Sequence, residues 1–286
     1  MSANLHNILV PVTFSIRDKW AISKAVELAN AFQCNIHLVY VVDSLPIAVK
    51  ESPVLNLFIY DHTAHLTNAR HQLEKLRNEY RQHLCGNVAI EISLLKGDRS
   101  LELIDYIHHF EMDLVVMGLS KFSVIHRVLS SVTIGRLARK ITVPVLAIRS
   151  TGLVSHFKKI VLPVTGEIPL RRIKMATMLA RSFKSTVYLV GLSDEENRAA
   201  QILNKTLDVL QSISTIPVQC FWLEGKNLAK STLEFSKRIN ADLILANPLK
   251  EFNLPGWWSK LTQNLISYNS NIPVITINSN IEDNQQ

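Results

Sequence analysis

The fold is decided by a short apolar segment that occurs twice, Ile8-Leu-Val-Pro-Val-Thr13 and Ile160-Val-Leu-Pro-Val-Thr165. The second copy follows the first by 152 residues, and each is typical of a short buried strand. A helical pattern follows both, in which Leu28-Ala29-x-x-Phe32 recurs 151 residues later as Leu179-Ala180-x-x-Phe183. The chain therefore contains an internal repeat that opens with a strand and a helix.

The repeat extends to the last strand of each copy. Met112-Asp-Leu-Val-Val-Met117 pairs with Ala241-Asp-Leu-Ile-Leu-Ala246, and Val143–Ile148 pairs with Ile272–Ile277, both at a spacing of 129 residues. The spacing falls from 151 to 129 residues, so the first copy carries 22 extra residues between its second and third strands.

This insertion lies near Asp43–His65 and contains Pro46 and Pro53. Its composition predicts a surface loop that leads into the helix holding Leu66, Leu73 and Leu76. A lid or a partner surface are the alternatives for this segment.

Strands that alternate with helices predict an α/β protein with parallel strands joined by right-handed crossovers, covered by helices on both faces. We expect two tandem doubly wound sheets of five strands each, in the order 3-2-1-4-5, in domains 1–150 and 158–280. The short linker between them predicts a pseudo-dimer associated through the last strands, because pairing removes exposed sheet edges. The strands are expected near residues 7–12, 35–42, 88–95, 113–118 and 143–149, then 159–164, 186–192, 218–224, 242–246 and 274–278.

The spacing of glycines and histidines excludes several kinds of site. The nine glycines are never closer than 11 residues, so neither a Walker loop nor a dinucleotide fingerprint is present, and no G-x-S-x-G elbow occurs. His62, His65 and His71 cannot share one face of a helix, and adjacent His108 and His109 point apart, so no metal site is expected. Three aspartates at strand ends are expected to be structural, namely Asp98, Asp113 and Asp242.

Composition limits the class of protein and its partners. The chain has 286 residues, 47% of them hydrophobic, and a net charge of +7 from basic residues that are scattered rather than clustered. We therefore expect neither nucleic-acid binding nor a membrane span. Three distant cysteines and the lack of a secretion signal favour a reducing, cytoplasmic location.

Four segments of the first copy resemble the universal stress protein domain: Ile8-Leu-Val-Pro-Val12, Lys96-Gly97-Asp98, Asp113-Leu-Val-Val-Met-Gly118 with Ser131-Val132, and Val143-Pro144-Val145. The second copy keeps the same frame with Gly225, Asp242 and Pro273, so the resemblance covers nearly the whole chain.

The resemblance implies an adenine-nucleotide site in which an acidic residue follows the first strand and a G-x2-G-x9-G-[ST] loop holds phosphates. The chain departs from both features, because the acidic position is Thr13 and the second loop glycine is Lys121. Any weak ATP site in the first copy would use these residues: Pro11, Val12, Thr13, Val41, Met117, Gly118, Ser120, Lys121, Ser130 and Ser131.

The second copy departs further. Its acidic position is Thr165, and Asn247, Lys250 and Lys260 replace the loop glycines. The adjacent Trp257-Trp258 pair is expected to fill the lost pocket, with a partner surface as the alternative.

The resemblance implies a non-enzymatic cytoplasmic stress-response or signalling protein. Its possible partners are an adenine nucleotide and a second copy of the chain in a homodimer. The alternatives are an ATP-binding member with slow hydrolysis and a pure interaction scaffold with no nucleotide site.

Overall fold

The computed structural model describes residues 4–43, 55–119, 141–149, 156–164, 166–192, 198–225, 227–247 and 271–277. They form two compact units, Leu5–Met117 and a second unit that begins at Gly118. Both are built from alternating strands and helices. The predicted α/β class is confirmed.

The first unit contains parallel strands in the spatial order β3-β2-β1-β4. Ile8 is in register with Ile36 on β2 and with Leu114 on β4, which places β1 at the centre of the four strands. This is the predicted order for the first four strands. The elements are β1 Asn7–Pro11, α1 Ile16–Phe32, β2 Asn35–Asp43, α2 Leu55–Arg81, β3 Ile90–Gly97, α3 Arg99–His109 and β4 Leu114–Leu119.

Helices cover both faces of this sheet. His37 and Tyr40 stand three residues apart on β2, so their side chains point to opposite faces. His37 meets Tyr106 on α3, whereas Tyr40 meets His65 on α2. Ile8, Leu9 and Val10 on β1 are fully buried as a result, which explains why the centre of this strand has no polar alternation.

The second unit repeats the pattern in the order β8-β7-β6-β9-β10, which is again third, second, first, fourth and fifth. Its parallel registers include Ile160 with Val187 and Ile160 with Leu243. The elements are β5 Val145–Arg149, β6 Lys159–Pro163, α4 Leu170–Phe183, β7 Thr186–Leu192, α5 Arg198–Ile213, β8 Val218–Leu223, α6 Leu228–Arg238, β9 Leu243–Ala246 and β10 Val274–Thr276.

The last strands of the two repeats pair directly. Strand β5, the fifth strand of the first repeat, runs antiparallel to β10, with Val145 opposite Thr276 and Ala147 opposite Val274. The Thr276 hydroxyl also donates to the Val145 carbonyl at 3.3 Å. The predicted association through the last strands is confirmed, and it explains why β5 packs in the second unit. The repeat boundaries 1–150 and 158–280 stay a prediction.

The insertion is helical where a loop was expected. Helix α2 begins at Leu55 and has 27 residues, against 16 in its counterpart α5. The loop interpretation was therefore wrong from Leu55 onward, because the apolar residues that follow Pro53 continue the helix instead of interrupting it. Residues 44–54 lie outside the described part of the chain.

Three aspartates hold backbone groups at strand ends and at a helix start. Asp113 accepts hydrogen bonds from the backbone nitrogens of His6 and Asn7 at 2.7 and 2.9 Å. Asp242 makes the matching pair of bonds to Lys158 and Lys159, both at 2.9 Å. Asp98 is the N-cap of α3 and accepts from Ser100 and Leu101. Their predicted structural role is confirmed.

Candidate functional site

The carboxyl edge of the parallel strands in the first unit is the candidate site. From β1 the chain builds the sheet to one side with β2 and β3 and then to the other side with β4, so the topological switch point lies between β1 and β4. Parallel sheets of this kind bind ligands at the switch point, outside the carboxyl ends of the strands. Three strands bring six of the predicted residues to that edge. These are Pro11, Val12 and Thr13 at the end of β1, Val41 near the end of β2, and Met117 and Gly118 near the end of β4.

The predicted residues differ in what they expose there. Val12 and Val41 are both 3% exposed, and the Val12 backbone nitrogen donates to the carbonyl of Val39 at 2.8 Å. Thr13 is exposed. Both valine side chains are therefore covered by the surrounding structure, and Thr13 presents a polar group at the surface of the edge. The predicted phosphate residues Ser120, Lys121, Ser130 and Ser131 lie outside the described residues.

A buried carboxylate organises the loop between β1 and α1. Asp18 is 5% exposed, and its Oδ2 accepts hydrogen bonds from the backbone nitrogens of Thr13 at 2.9 Å and Ser15 at 2.8 Å. Its Oδ1 lies 3.1 Å from the Thr13 hydroxyl. Asp18 therefore places a carboxylate beside Thr13 from the first turn of the following helix.

Sequence reasoning missed Asp18, although a signal was present. Ser15-Ile-Arg-Asp18 has the spacing in which the third residue of a helix reaches back to the backbone of its N-cap. The family resemblance points only to the position directly after β1 for an acidic residue. Burial raises the pKa of the Asp18 carboxyl, while the hydrogen bonds from Ser15 and Thr13 and the charge of Arg17 partly offset that rise.

The polar side chains of this loop form a connected set of hydrogen bonds. Arg17 Nε donates to Ser15 Oγ at 3.1 Å, Ser15 Oγ lies 3.0 Å from Thr13 Oγ1, and Thr13 lies beside Asp18. An ionised carboxylate only accepts and a guanidinium only donates, so two arrangements fit. Either Thr13 donates to Asp18 and Ser15 to Thr13, or Thr13 donates to Ser15 and Ser15 to Asp18 at 3.5 Å. Each hydroxyl has then used its single proton. Thr13 can therefore offer a ligand an acceptor but no donor.

An aromatic contact links this loop to the insertion helix. Phe14 has a φ of 56°, a left-handed conformation that is uncommon for a bulky residue. Its ring centroid lies 4.5 Å from that of Tyr40, whose hydroxyl lies 3.4 Å from His65 Nε2 on α2. The backbone nitrogens of Thr13 and Ser15, the two neighbours of Phe14, donate to Asp18 and hold this conformation in place.

The second unit places a cation at the equivalent edge. Arg172 on α4 is 3% exposed, and its Nη1 donates to the carbonyl of Pro163, the counterpart of Pro11, at 2.7 Å. The residue at this helix position in the first unit is Ala21. Asn247, which stands where the first repeat has Gly118, is buried at the end of β9. The residues Thr165, Lys250, Trp257, Trp258 and Lys260 lie outside the described part.

Two further properties of the described residues bear on the site. They contain no group of three or more His, Cys, Asp or Glu side chains that could hold a metal ion. Within the same residues, no helix combines the length and the apolar character needed to cross a membrane.

A model described as the universal stress protein family matches residues 4–149, which is half of the chain and includes the whole candidate edge. This chain belongs to the universal stress protein family. A search against individual curated proteins gives no significant match.

Several solved structures, two of them universal stress proteins, share the fold over nearly the whole chain. A universal stress protein from Archaeoglobus fulgidus has a TM-score of 0.76 at 14% identity, over 96% of this chain and 97% of that one. A putative universal stress protein from Pseudomonas aeruginosa has a TM-score of 0.64 at 14% identity, over 96% and 93%. The cytoplasmic domain of a prokaryotic cation chloride cotransporter has a TM-score of 0.55 at 14% identity, over 96% of both chains. At these identities the likeness shows the fold alone.

Proposed function

We propose that this universal stress protein is a non-enzymatic stress-response or signalling protein of the cytoplasm that binds an adenine nucleotide weakly, in its first repeat only. Family membership supports the class of function. The difference between the two carboxyl edges supports the restriction to one repeat.

The observation that carries the proposal is the exposed acceptor at Thr13. Its hydroxyl proton is used within the loop, so the exposed Thr13 oxygen can accept a hydrogen bond from a ligand, next to the buried apolar residues Val12 and Val41. Small-molecule sites combine apolar surroundings with a few placed polar groups. In the second unit the guanidinium of Arg172 occupies the corresponding edge at Pro163, which opposes the binding of a second nucleoside there.

The direction of the hydrogen bonds favours the nucleoside end of the ligand at Thr13. A phosphate offers only acceptors, whereas the adenine amine and the ribose hydroxyls offer donors. The Asp18 carboxylate also places negative charge at the start of α1, where a phosphate would otherwise gain from the helix dipole. The phosphates are therefore assigned to the side of Lys121, as the family resemblance implies.

The role of Asp18 supports binding rather than catalysis. Its carboxylate accepts from two backbone nitrogens and one hydroxyl and is 5% exposed. A general base must reach the proton that it removes, and Asp18 is already occupied within its own loop.

Calorimetric titration of ATP into the full chain tests the proposal. Thr13→Val should weaken binding by roughly three- to tenfold, the value of one neutral hydrogen bond, whereas Thr13→Ser should retain it. A stoichiometry of two, or equal binding by Thr13→Val, would place the site elsewhere.

The same samples separate the two rival functions. Release of phosphate from ATP above the rate of a protein-free blank favours the slowly hydrolysing alternative. Absence of ATP binding by the wild type favours the interaction scaffold. Titration of 2′-deoxy-ATP and inosine triphosphate then shows whether a ribose hydroxyl or the adenine amine meets Thr13.

A further inference from the structure

A buried histidine ties a helix to two strands in the first unit. His37 on β2 is 8% exposed, and its Nδ1 lies 3.0 Å from the hydroxyl of Tyr106 on α3. The same hydroxyl lies 2.9 Å from Ser93 Oγ on β3. Two consecutive hydrogen bonds therefore join α3 to both strands beneath it.

The protonation of His37 fixes the direction of this network. A change of direction on protonation requires the neutral tautomer that carries its proton on Nε2, in which Tyr106 donates to Nδ1 and Ser93 donates to Tyr106. A second proton at Nδ1 turns that nitrogen into a donor, so Tyr106 must turn its own proton toward Ser93. The Ser93 proton then loses its acceptor, and a charge is buried beneath α3. Both changes make the packing of α3 against the sheet less stable.

The surroundings of His37 favour the neutral form. The strand β3 contributes Glu91, which is in register with His37 and exposed. The helix side contributes Tyr106 and, through Phe110, His109. The strand β1 contributes only the apolar Leu9 at this register. Burial lowers the pKa of His37, and Glu91 offsets only part of that effect.

The second unit provides a natural control without an imidazole. Tyr188, Phe221 and Phe235 occupy the positions equivalent to His37, Ser93 and Tyr106. Their ring centroids lie 6.0 Å apart for Tyr188 and Phe221, and 4.9 Å for Phe221 and Phe235. The counterpart of α3 in the second unit, α6, is thus held by an apolar aromatic cluster.

We propose that His37, Ser93 and Tyr106 form a proton-operated latch, which holds α3 on the sheet at neutral pH and releases it on acidification in the first repeat alone. Helix α3 leads directly into β4, whose end belongs to the candidate nucleotide edge. Acidification would therefore loosen that edge while the second repeat stays closed. The latch does not depend on the proposed nucleotide binding.

Hydrogen exchange of the full chain, measured at pH 7.5 and pH 5.0 and corrected for intrinsic rates, tests the latch directly. Amides of 99–109 should lose protection at pH 5.0 relative to pH 7.5, because the protonated imidazole no longer accepts the hydrogen bond of Tyr106. Amides of 228–238 on α6 and of 16–32 on α1 serve as references and should change less. An equal change in α3 and either reference overturns the proposal.

Two variants identify the titrating group. His37→Gln should remove the extra pH response of α3, because glutamine does not titrate. The triple variant His37→Tyr, Ser93→Phe, Tyr106→Phe copies the second repeat and should do the same. A pH response of α3 that persists in a folded variant overturns the proposal. Should both variants fail to fold, the comparison of α3 with its references in the wild type decides it.

Discussion

The backbone nitrogen of Thr13 lies 2.9 Å from Oδ2 of Asp18, five residues further along the chain. The carboxylate of Asp18 on α1 therefore lies next to the end of β1. An acidic group thus stands beside the position where the family resemblance implies one, although the residue at that position is threonine. The loop consequently has a defined conformation before any ligand arrives.

Asp18 should give a measurable pH dependence of stability. Burial raises its folded-state pKa above the value of about 3.9 in an unfolded chain, so the folded state binds the proton more tightly. The free energy of unfolding of the wild type, relative to Asp18→Asn, should therefore fall as pH rises from about 3.9 through the raised folded pKa. Urea unfolding of both proteins between pH 4 and 7 measures this difference. A difference that rises with pH would show that the hydrogen bonds outweigh burial.

Lys121 and Lys250 should differ in their effect on nucleotide affinity. Lys121→Ala should remove a charge-assisted contact of roughly 1.5–3 kcal/mol and weaken ATP binding by about one to two powers of ten. Lys250→Ala, in the second repeat, should leave the affinity unchanged. Calorimetric titration of both variants measures the effect. Equal losses would mean that the site is misassigned.

The pairing of β5 with β10 should be sensitive to charge. Val145 is fully buried opposite Thr276, so Val145→Asp would bury a carboxylate without a partner and cost about 3–5 kcal/mol. Val274→Asp should act similarly. Ile213→Asp is the control, because Ile213 is 45% exposed and its change should stay within about 0.5 kcal/mol. Urea unfolding gives these values, and protection of β10 amides shows whether the pairing loosens.

The three cysteines should react with iodoacetamide in a fixed order. Cys85 is exposed, whereas burial raises the pKa of the Cys34 thiol to about 12. The thiolate is the reactive form, so the buried Cys34 in the native protein should react much more slowly than the exposed Cys85. Cys220 is partly buried with a raised pKa and should fall between them. Cys85→Ser should abolish the fast phase seen by mass spectrometry, and rapid labelling of Cys34 in that variant would contradict the order.

The sequence by itself determined the repeat and the strands. The ten strands in the described part of the chain begin and end within two residues of the predicted positions, because buried parallel strands are short apolar runs that a local pattern reveals. The pairing of β5 with β10 also followed from the sequence, since an exposed hydrophobic edge strand requires a partner. The start of α2 at Leu55 did not follow, because prolines and apolar residues suit either a loop or a helix.

Only the tertiary structure decided what meets at the carboxyl edges and beneath α3. Ser93 and Tyr106 lie 13 residues apart, and His37 and Tyr106 lie 69 residues apart. Arg172 reaches Pro163 across a strand-to-helix turn in the second repeat alone. Hydrogen bonds of this kind depend on the direction of side chains after packing, which residue spacing along the chain does not fix. The two repeats therefore share one fold, which local patterns encode, and differ in the chemistry of their sites, which packing decides.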